Sequence, residues 1–189
     1  MKSMIAKFLL VSSTSLLLAC SSPISEVIVS PELNIASSNF YQQKQAKLRF
    51  SDLRTSNHIV QILRIGKATK TYPAQEPIIN LVEASLTSAF QDSGLRVQPL
   101  AANQIHLIID NALVSVQQEL TKYSASNHMN FRVVINNGEN TLTKSFKMSG
   151  NSIGPLTADI AVLERDFNQQ LAKLLTQIVQ SKEVQQFLR

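Results

Sequence analysis

Tryptophan is absent from this 189-residue sequence, cysteine occurs once and glycine only five times. A single cysteine cannot form a disulfide within the chain. A phosphate-binding loop gathers several glycines into one short turn, and no such cluster precedes Gly66-Lys67. The sequence therefore excludes P-loop and dinucleotide-binding proteins. About 150 folded residues still suffice to build a core of their own.

Clustered positive charge is also missing. The formal net charge of +5 falls to +3 once Lys2 and Lys7 leave with the N-terminal leader. Nucleic-acid binding requires lysine and arginine gathered on one face or along one helix. We therefore expect no nucleic-acid partner.

Motifs that carry chemistry are equally scarce. The three histidines, His58, His106 and His128, lie far apart and form neither an H-E-x-x-H nor an H-x-H pattern. No G-x-S-x-G nucleophile elbow occurs. The sequence predicts a non-enzymatic protein, with no catalytic residue, no metal and no cofactor. A hydrolase whose site assembles only in space stays an open alternative.

The N-terminus has the pattern of a secretory leader. Lysines in the first seven residues are followed by twelve apolar or small ones, which end at Cys20. As a helix those twelve span about 18 Å, too short for a hydrocarbon core of about 30 Å. An export signal is thus favoured over a transmembrane helix.

The segment Leu17-Leu18-Ala19-Cys20 resembles the bacterial lipobox. That resemblance implies a leader cut before Cys20, which is then acylated and anchors the chain in a membrane. Two or more acyl chains hold a protein stably, whereas one does so only marginally. The alternatives are a cysteine that closes an ordinary signal, or a free thiol. Ser21, in place of Asp, favours the outer membrane by the same resemblance.

These features predict three parts. Residues 1–19 form a lipoprotein signal peptide, 20–46 a lipidated N-terminus and tether, and 47–189 a single periplasmic α+β domain. Within the tether, the apolar residues 27–29 could pair with an edge strand of the domain.

Hydrophobic periodicity predicts the elements of the domain. Alternation or short apolar runs indicate strands over 46–53, 59–65, 95–98, 105–109 (with room to continue towards 120), 129–135 and 142–148. Residues 66–76 read as a loop. Asn136-Asn137-Gly138-Glu139 is typical of a tight hairpin.

Helical spacing indicates a helix over 77–93, with Pro77 at its start and Gly94 at its end. A second helix is predicted over 157–180 and a short amphipathic one in the last eight residues. The predicted fold is α+β, a mainly antiparallel sheet with two helices packed on one face. A coiled-coil seam is the alternative use of the second helix's apolar stripe.

Two polar features stand out. Asp52 and Arg54 are two residues apart after the first strand, where they could hold a loop, receive a polar ligand or simply form an ion pair. His106 interrupts an apolar strand, which favours a hydrogen-bonded histidine over a metal ligand.

The chain resembles the YajG family of bacterial lipoproteins along nearly its whole length. The resemblance rests on the lipobox, EVIVSP at 26–31, FSDLRT at 50–55, DSG at 92–94, IHLIID at 105–110, NNGENTLTKSF at 136–146 and the closing EVQQFLR. It implies an envelope lipoprotein of unassigned activity, and Cys20 is the only functional position it transfers.

The leading hypothesis is a domain anchored to the outer membrane that binds an envelope protein or glycan. The alternative is an accessory subunit of an envelope transporter or secretion assembly. Such a subunit would dock through a sheet edge or the C-terminal helix, with Phe167 or Phe187 in the contact.

Overall fold

The computed structural model describes residues 26–35 and 39–188. The predicted signal peptide 1–19 and the predicted lipidation site Cys20 lie outside those residues. The strands are β1 Gln45–Asp52, β2 His58–Arg64, β3 Lys70–Pro73, β4 Arg96–Val97, β5 Gln104–Gln118, β6 Lys122–Asn136 and β7 Thr141–Pro155. The helices are α1 Ile78–Asp92, α2 Ile160–Val179 and α3 Lys182–Phe187.

The seven strands form one mixed sheet built around β5. On one side of β5 the long strands β6 and β7 follow in antiparallel order. On the other side β1 and β2 lie end to end, both parallel to β5. Strand β4 extends the sheet beyond β1, and β3 extends it beyond β2. The two longest pairings are antiparallel, so the predicted α+β class with a mainly antiparallel sheet is confirmed.

Both long helices cover the same face of this sheet. Alternate residues of β6 face them and are buried, and α1 and α2 contact each other above that layer. Helix α2 buries its apolar stripe completely, with Leu163, Phe167, Leu171, Leu174, Leu175, Ile178 and Val179. Each such side chain contributes about 1.5–3 kcal/mol through burial. The stripe therefore packs on the sheet, not on a coiled-coil partner.

The helix ends follow from local chemistry. Pro77 is the N-cap of α1, and Gly94 follows its C-terminus at φ +93°, a backbone conformation that glycine adopts without strain. Asp159 caps α2 by accepting a hydrogen bond from the Ala161 amide at 2.9 Å. The short helix α3 is held by an ion pair between Lys144 and Glu183, which lowers the pKa of Glu183 to about 2.

The structure differs from the sequence-based prediction in strand lengths. Strand β3 lies inside the predicted loop 66–76, while β5, β6 and β7 each run to 15 residues. Strand β3 is a short edge strand with mostly exposed side chains, so backbone pairing forms it without an apolar pattern. The added part of β7 is rich in serine, asparagine and glycine and shows no alternation of apolar residues for the same reason.

Residues assigned to the tether pack against the domain. Val27 is fully buried and forms a parallel bridge with Ala74, just beyond β3. Tyr41 is also fully buried, donates a 2.6 Å hydrogen bond to the Val179 carbonyl, and has its pKa raised by burial. The packed body of the protein thus begins earlier in the chain than residue 47. Within the described residues, no helix has both the length and the apolar character needed to cross a bilayer.

Candidate functional site

A gap in the sheet creates the deepest polar cleft around the sequence-predicted Asp52–Arg54 motif. Strand β1 pairs with β5 as far as Ile109, and β2 pairs with β5 only from Val114. Between them, a β-bulge in β5 adds an unpaired residue. The resulting cleft has a volume of about 310 Å³. Its walls are Arg54, Thr55, Ser56 and His58 from the β1–β2 connection and Asp110 to Leu113 from β5.

Arg54 and Asp52 form a two-point ion pair at the edge of this cleft. Arg54 Nη2 lies 2.8 Å and Nε 2.9 Å from the two carboxylate oxygens of Asp52. The Arg54 side chain is only 6% exposed, and its Nη1 is buried with no hydrogen-bond partner within the described part of the chain. A buried donor without a partner costs free energy unless water or a ligand satisfies it. The cleft therefore presents a cationic donor to an incoming oxygen atom.

A second pair, missed at the sequence level, lies on the neighbouring strands. Arg132 of β6 donates hydrogen bonds to both oxygens of Asp110, at 2.8 and 3.2 Å, and this pairing raises the pKa of Arg132. The two residues are 22 positions apart in sequence and meet because β5 and β6 fold back on each other. Strand pairing in space, not spacing along the chain, brings them together.

Histidines take up two separate positions near these pairs. His58 Nδ1 contacts the Ser56 hydroxyl within the β1–β2 connection. His106 lies 2.9 Å from Ser51 Oγ, across the β1–β5 pair. Burial, and then the charges of Arg49 and Arg132, lower the pKa of His106. His106 is thus the hydrogen-bonded histidine that the sequence favours.

These contacts limit the chemistry available. Asp52 and Asp110 are each held by an arginine, which leaves neither carboxylate free to take up a proton from a substrate. Within residues 26–35 and 39–188, no His, Cys, Asp or Glu cluster could hold a metal ion. The arrangement favours hydrogen bonding to a bound molecule over proton transfer.

The sheet face turned away from the helices is strongly polar. Side chains of β6 and β7 on that face are half-buried or exposed, namely Ser124, Ser126, His128, Asn130, Thr143, Ser145, Lys147 and Ser149. Hydroxyl, amide and imidazole groups there can donate and accept hydrogen bonds over a broad area. We call this surface the open face.

A smaller polar cavity lies on the opposite side, beneath α2. Its volume is about 50 Å³, which is enough for a water molecule, and Asn127, Gly150 and Gln170 line it. Both side-chain polar atoms of Asn127 are buried there without a protein partner among the described residues. The cavity belongs to the interior and offers no entrance for a larger ligand.

Other residues singled out in the sequence have structural roles. Phe167 is fully buried in the core, so the expectation that it contacts a partner is wrong. Phe187 is half-buried and packs against the same core. His128 is exposed on the open face, away from the contacts made by the other two histidines.

Two comparisons relate the sequence to known proteins. Residues 31–189 match the family described as "Uncharacterized lipoprotein" (Lipoprotein_16), the YajG family. Among curated proteins, none matches the sequence.

Solved structures share the fold at low sequence identity. Protein XCC0632 from Xanthomonas campestris, of family DUF330, superposes with a TM-score of 0.57 and 14% identity, over 85% of this chain and 96% of that one. Rare lipoprotein B from Shewanella oneidensis gives a TM-score of 0.41 and 15% identity, over 74% and 96% of the two chains. A homolog of neuraminyllactose-binding hemagglutinin from Helicobacter pylori gives 0.42 and 9%, over 80% and 94%.

Proposed function

The chain belongs to the YajG family of uncharacterized lipoproteins, and from this premise we propose that it is a non-enzymatic binding module of the cell envelope. Acyl chains on Cys20 hold it at the periplasmic side of the outer membrane. The cleft between β1 and β2, with the open face beside it, takes up an envelope protein or glycan.

The observation that carries the binding proposal is the buried guanidinium of Arg54. Its Nη1 lines the cleft without a partner in the described residues, while Asp52 neutralises the rest of the group. A site of this kind favours an acceptor oxygen, such as a sugar hydroxyl or a backbone carbonyl, over a fully charged group. The polar groups of the open face extend the same chemistry outward.

Photo-crosslinking in intact cells tests this proposal. A photoreactive amino acid replaces Asn111, which is exposed in the cleft, and the control replaces Asp92, which is exposed at the end of α1. We expect adducts from position 111 and not from position 92. Adducts that a protease removes identify a protein partner, and protease-resistant ones identify a glycan.

A double-variant control links the adduct to the arginine. Replacing Arg54 by Leu together with Asp52 by Leu removes both charges, so neither is left buried and unpaired. We expect the adducts from position 111 to be lost in a variant that still unfolds cooperatively. Equal labelling at positions 111 and 92, or adducts unaffected by the double variant, would count against the cleft as a binding site.

A second candidate function, docking as an accessory subunit of an envelope assembly, draws support from β7. This 15-residue strand pairs with β6 on one side, and no strand in the described ranges pairs with its outer edge. A free edge can accept a strand from another protein. Replacing Ser145 by Pro would remove a backbone donor from β7, and loss of co-purification with a membrane complex would support this function.

A further inference from the structure

Three large apolar side chains project from adjacent turns at one end of the sheet. Ile65 in the β2–β3 turn is 98% exposed, Leu120 in the β5–β6 turn is 99% exposed, and Leu156 after β7 is 67% exposed. The turns are neighbours because Arg64 pairs with Gln118, and Lys122 pairs with Pro155. We call Ile65, Leu120 and Leu156 the apolar tip.

Hydrogen bonds hold two of these turns together. The Gln118 side chain donates to the Leu156 carbonyl at 2.6 Å and accepts from the Ala158 amide at 3.0 Å. The Leu156 amide donates to the Thr121 carbonyl at 2.8 Å. These bonds keep Leu156 at φ +57°, a left-handed conformation that is unfavourable for leucine. The exposed leucines are thus presented on a braced support.

Basic residues surround the apolar tip. Arg64, Lys67, Lys70 and Lys122 lie in or beside the same turns, against two carboxylates, Glu119 and Asp159. Exposed apolar side chains ringed by lysine and arginine suit a surface that enters the headgroup region of a bilayer with anionic lipids. A protein partner would require no excess of positive charge.

The N-terminal segment reaches the protein from this same end. Because Val27 and Ala74 pair in parallel, the chain before Val27 runs back along β3 towards Lys70. From Ala74 to the level of Ile65 is about 23 Å along the strands. The seven residues from Cys20 to Val27 span up to about 25 Å. An anchor at Cys20 therefore reaches the level of the apolar tip.

We propose that the apolar tip inserts into the bilayer that carries the anchor, so that the domain stands on the membrane in one fixed orientation. This inference rests on the proposed acylation of Cys20. Residues 26–30 are fastened to α2 by Glu164 and Asn168, which keeps the exit of the chain directed at the tip. In this orientation β5 runs away from the membrane, and the cleft faces the periplasm well above the lipid.

The absence of tryptophan makes a direct test feasible. The mature lipidated protein carrying Leu120→Trp is added to vesicles of phosphatidylethanolamine and phosphatidylglycerol with brominated acyl chains. We expect the tryptophan emission to shift to shorter wavelength and to be quenched by bromine. Ile65→Trp, in the neighbouring turn, should respond in the same way.

Leu100→Trp is the matched control. Leu100 is 98% exposed, like Leu120, but it precedes β5 and so lies at the opposite end of the sheet. We expect its emission to stay at long wavelength and unquenched on the same vesicles. Equal quenching of Leu100→Trp and Leu120→Trp would mean no fixed orientation and would overturn the proposal.

The remaining outcomes separate this inference from the proposed function. If the protein sediments with the vesicles while Leu120→Trp stays unquenched, the anchor holds and the tip proposal fails. A blue shift without bromine quenching would show that a second copy of the protein covers the tip, which also overturns it. If the mature protein does not bind vesicles at all, the proposed function falls and this inference falls with it.

Discussion

Gly154 shows how closely single residues of the sheet are fitted to their neighbours. A Cβ at this position would lie 2.6 Å from Tyr123 Cζ, and the aromatic ring cannot bend away. We predict that Gly154→Ala lowers the free energy of unfolding by about 1–3 kcal/mol through overpacking. Urea denaturation measures the change.

Gly150→Ala is the control for that substitution. A Cβ there would meet the end of the flexible Gln170 side chain, which borders the 50 Å³ cavity and has room to move. We expect it to change stability much less than Gly154→Ala. Equal losses in the two variants would show that the β6–β7 pairing, and not the tyrosine ring, sets the cost.

His106 provides a pH-dependent term in stability. Its folded-state pKa lies below the ordinary value because of burial, Arg49 and Arg132, so the unfolded state binds its proton more readily. The histidine thus favours the folded state above about pH 6.5, and this stability is lost as the pH falls through the folded pKa.

The corresponding prediction concerns His106→Gln, which can keep a hydrogen bond to Ser51 without titrating. Between about pH 8 and about pH 5, the wild-type protein should lose more stability than this variant. Urea midpoints measured across that range report the difference. Identical slopes in the two proteins would show that protonation of His106 does not differ between the folded and unfolded states.

At the scale of elements, the N-terminal segment depends on one asparagine of α2. Asn168 accepts from the Ser30 amide at 2.9 Å and donates to the Ile28 carbonyl at 2.8 Å. We predict that Asn168→Ala weakens docking of the segment by about 1 kcal/mol, since both bonds are lost at an exposed position. Hydrogen exchange at the Ser30 amide should accelerate, while the core of α2 stays protected.

Gln169→Ala serves as its control because this neighbouring residue makes no hydrogen bond with the segment within the described residues and lies beside the groove under residues 30–34. Its exchange at Ser30 should match that of the wild type. If both substitutions accelerate exchange equally, the segment is held by the helix surface as a whole and not by Asn168.

Elements also show how far periodicity carries. The spacing of apolar residues located α1 and α2 well, because each helix has one face to bury. It missed β3 and shortened β6 and β7, where side chains on one or both faces are polar and backbone pairing alone forms the strand. The Asp52–Arg54 pair was visible because its members are two residues apart, whereas Asp110 and Arg132 meet only after β5 pairs with β6.

For the whole molecule, the prediction with the widest consequence concerns Cys20. Replacing it by Ser removes the acylated sulfur, and the uncut, unacylated protein cannot hold to the membrane through fatty chains. We expect mass spectrometry of the wild-type protein to show an acylated N-terminal cysteine. In Cys20→Ser that species should be absent and the mature form lost from the membrane fraction.

Replacing Ser21 by Asp tests the destination separately. The acylated cysteine should remain, while the protein moves from the outer-membrane to the inner-membrane fraction after density-gradient separation. An unmodified thiol in the wild-type protein would refute anchoring, whereas an unchanged distribution of Ser21→Asp would refute only the assignment to the outer membrane.

The sequence by itself determined the lipoprotein family, the α+β class and both long helices, because lipobox resemblance and apolar periodicity are local properties of the chain. Tertiary structure alone decided the cleft, since it arises where β1 and β2 meet β5 end to end around a bulge. It also decided the apolar tip, whose residues are 36 or more positions apart between Ile65 and Leu156 and become one surface only through strand register. Register depends on the whole sheet at once, and for that reason no stretch of sequence could announce it.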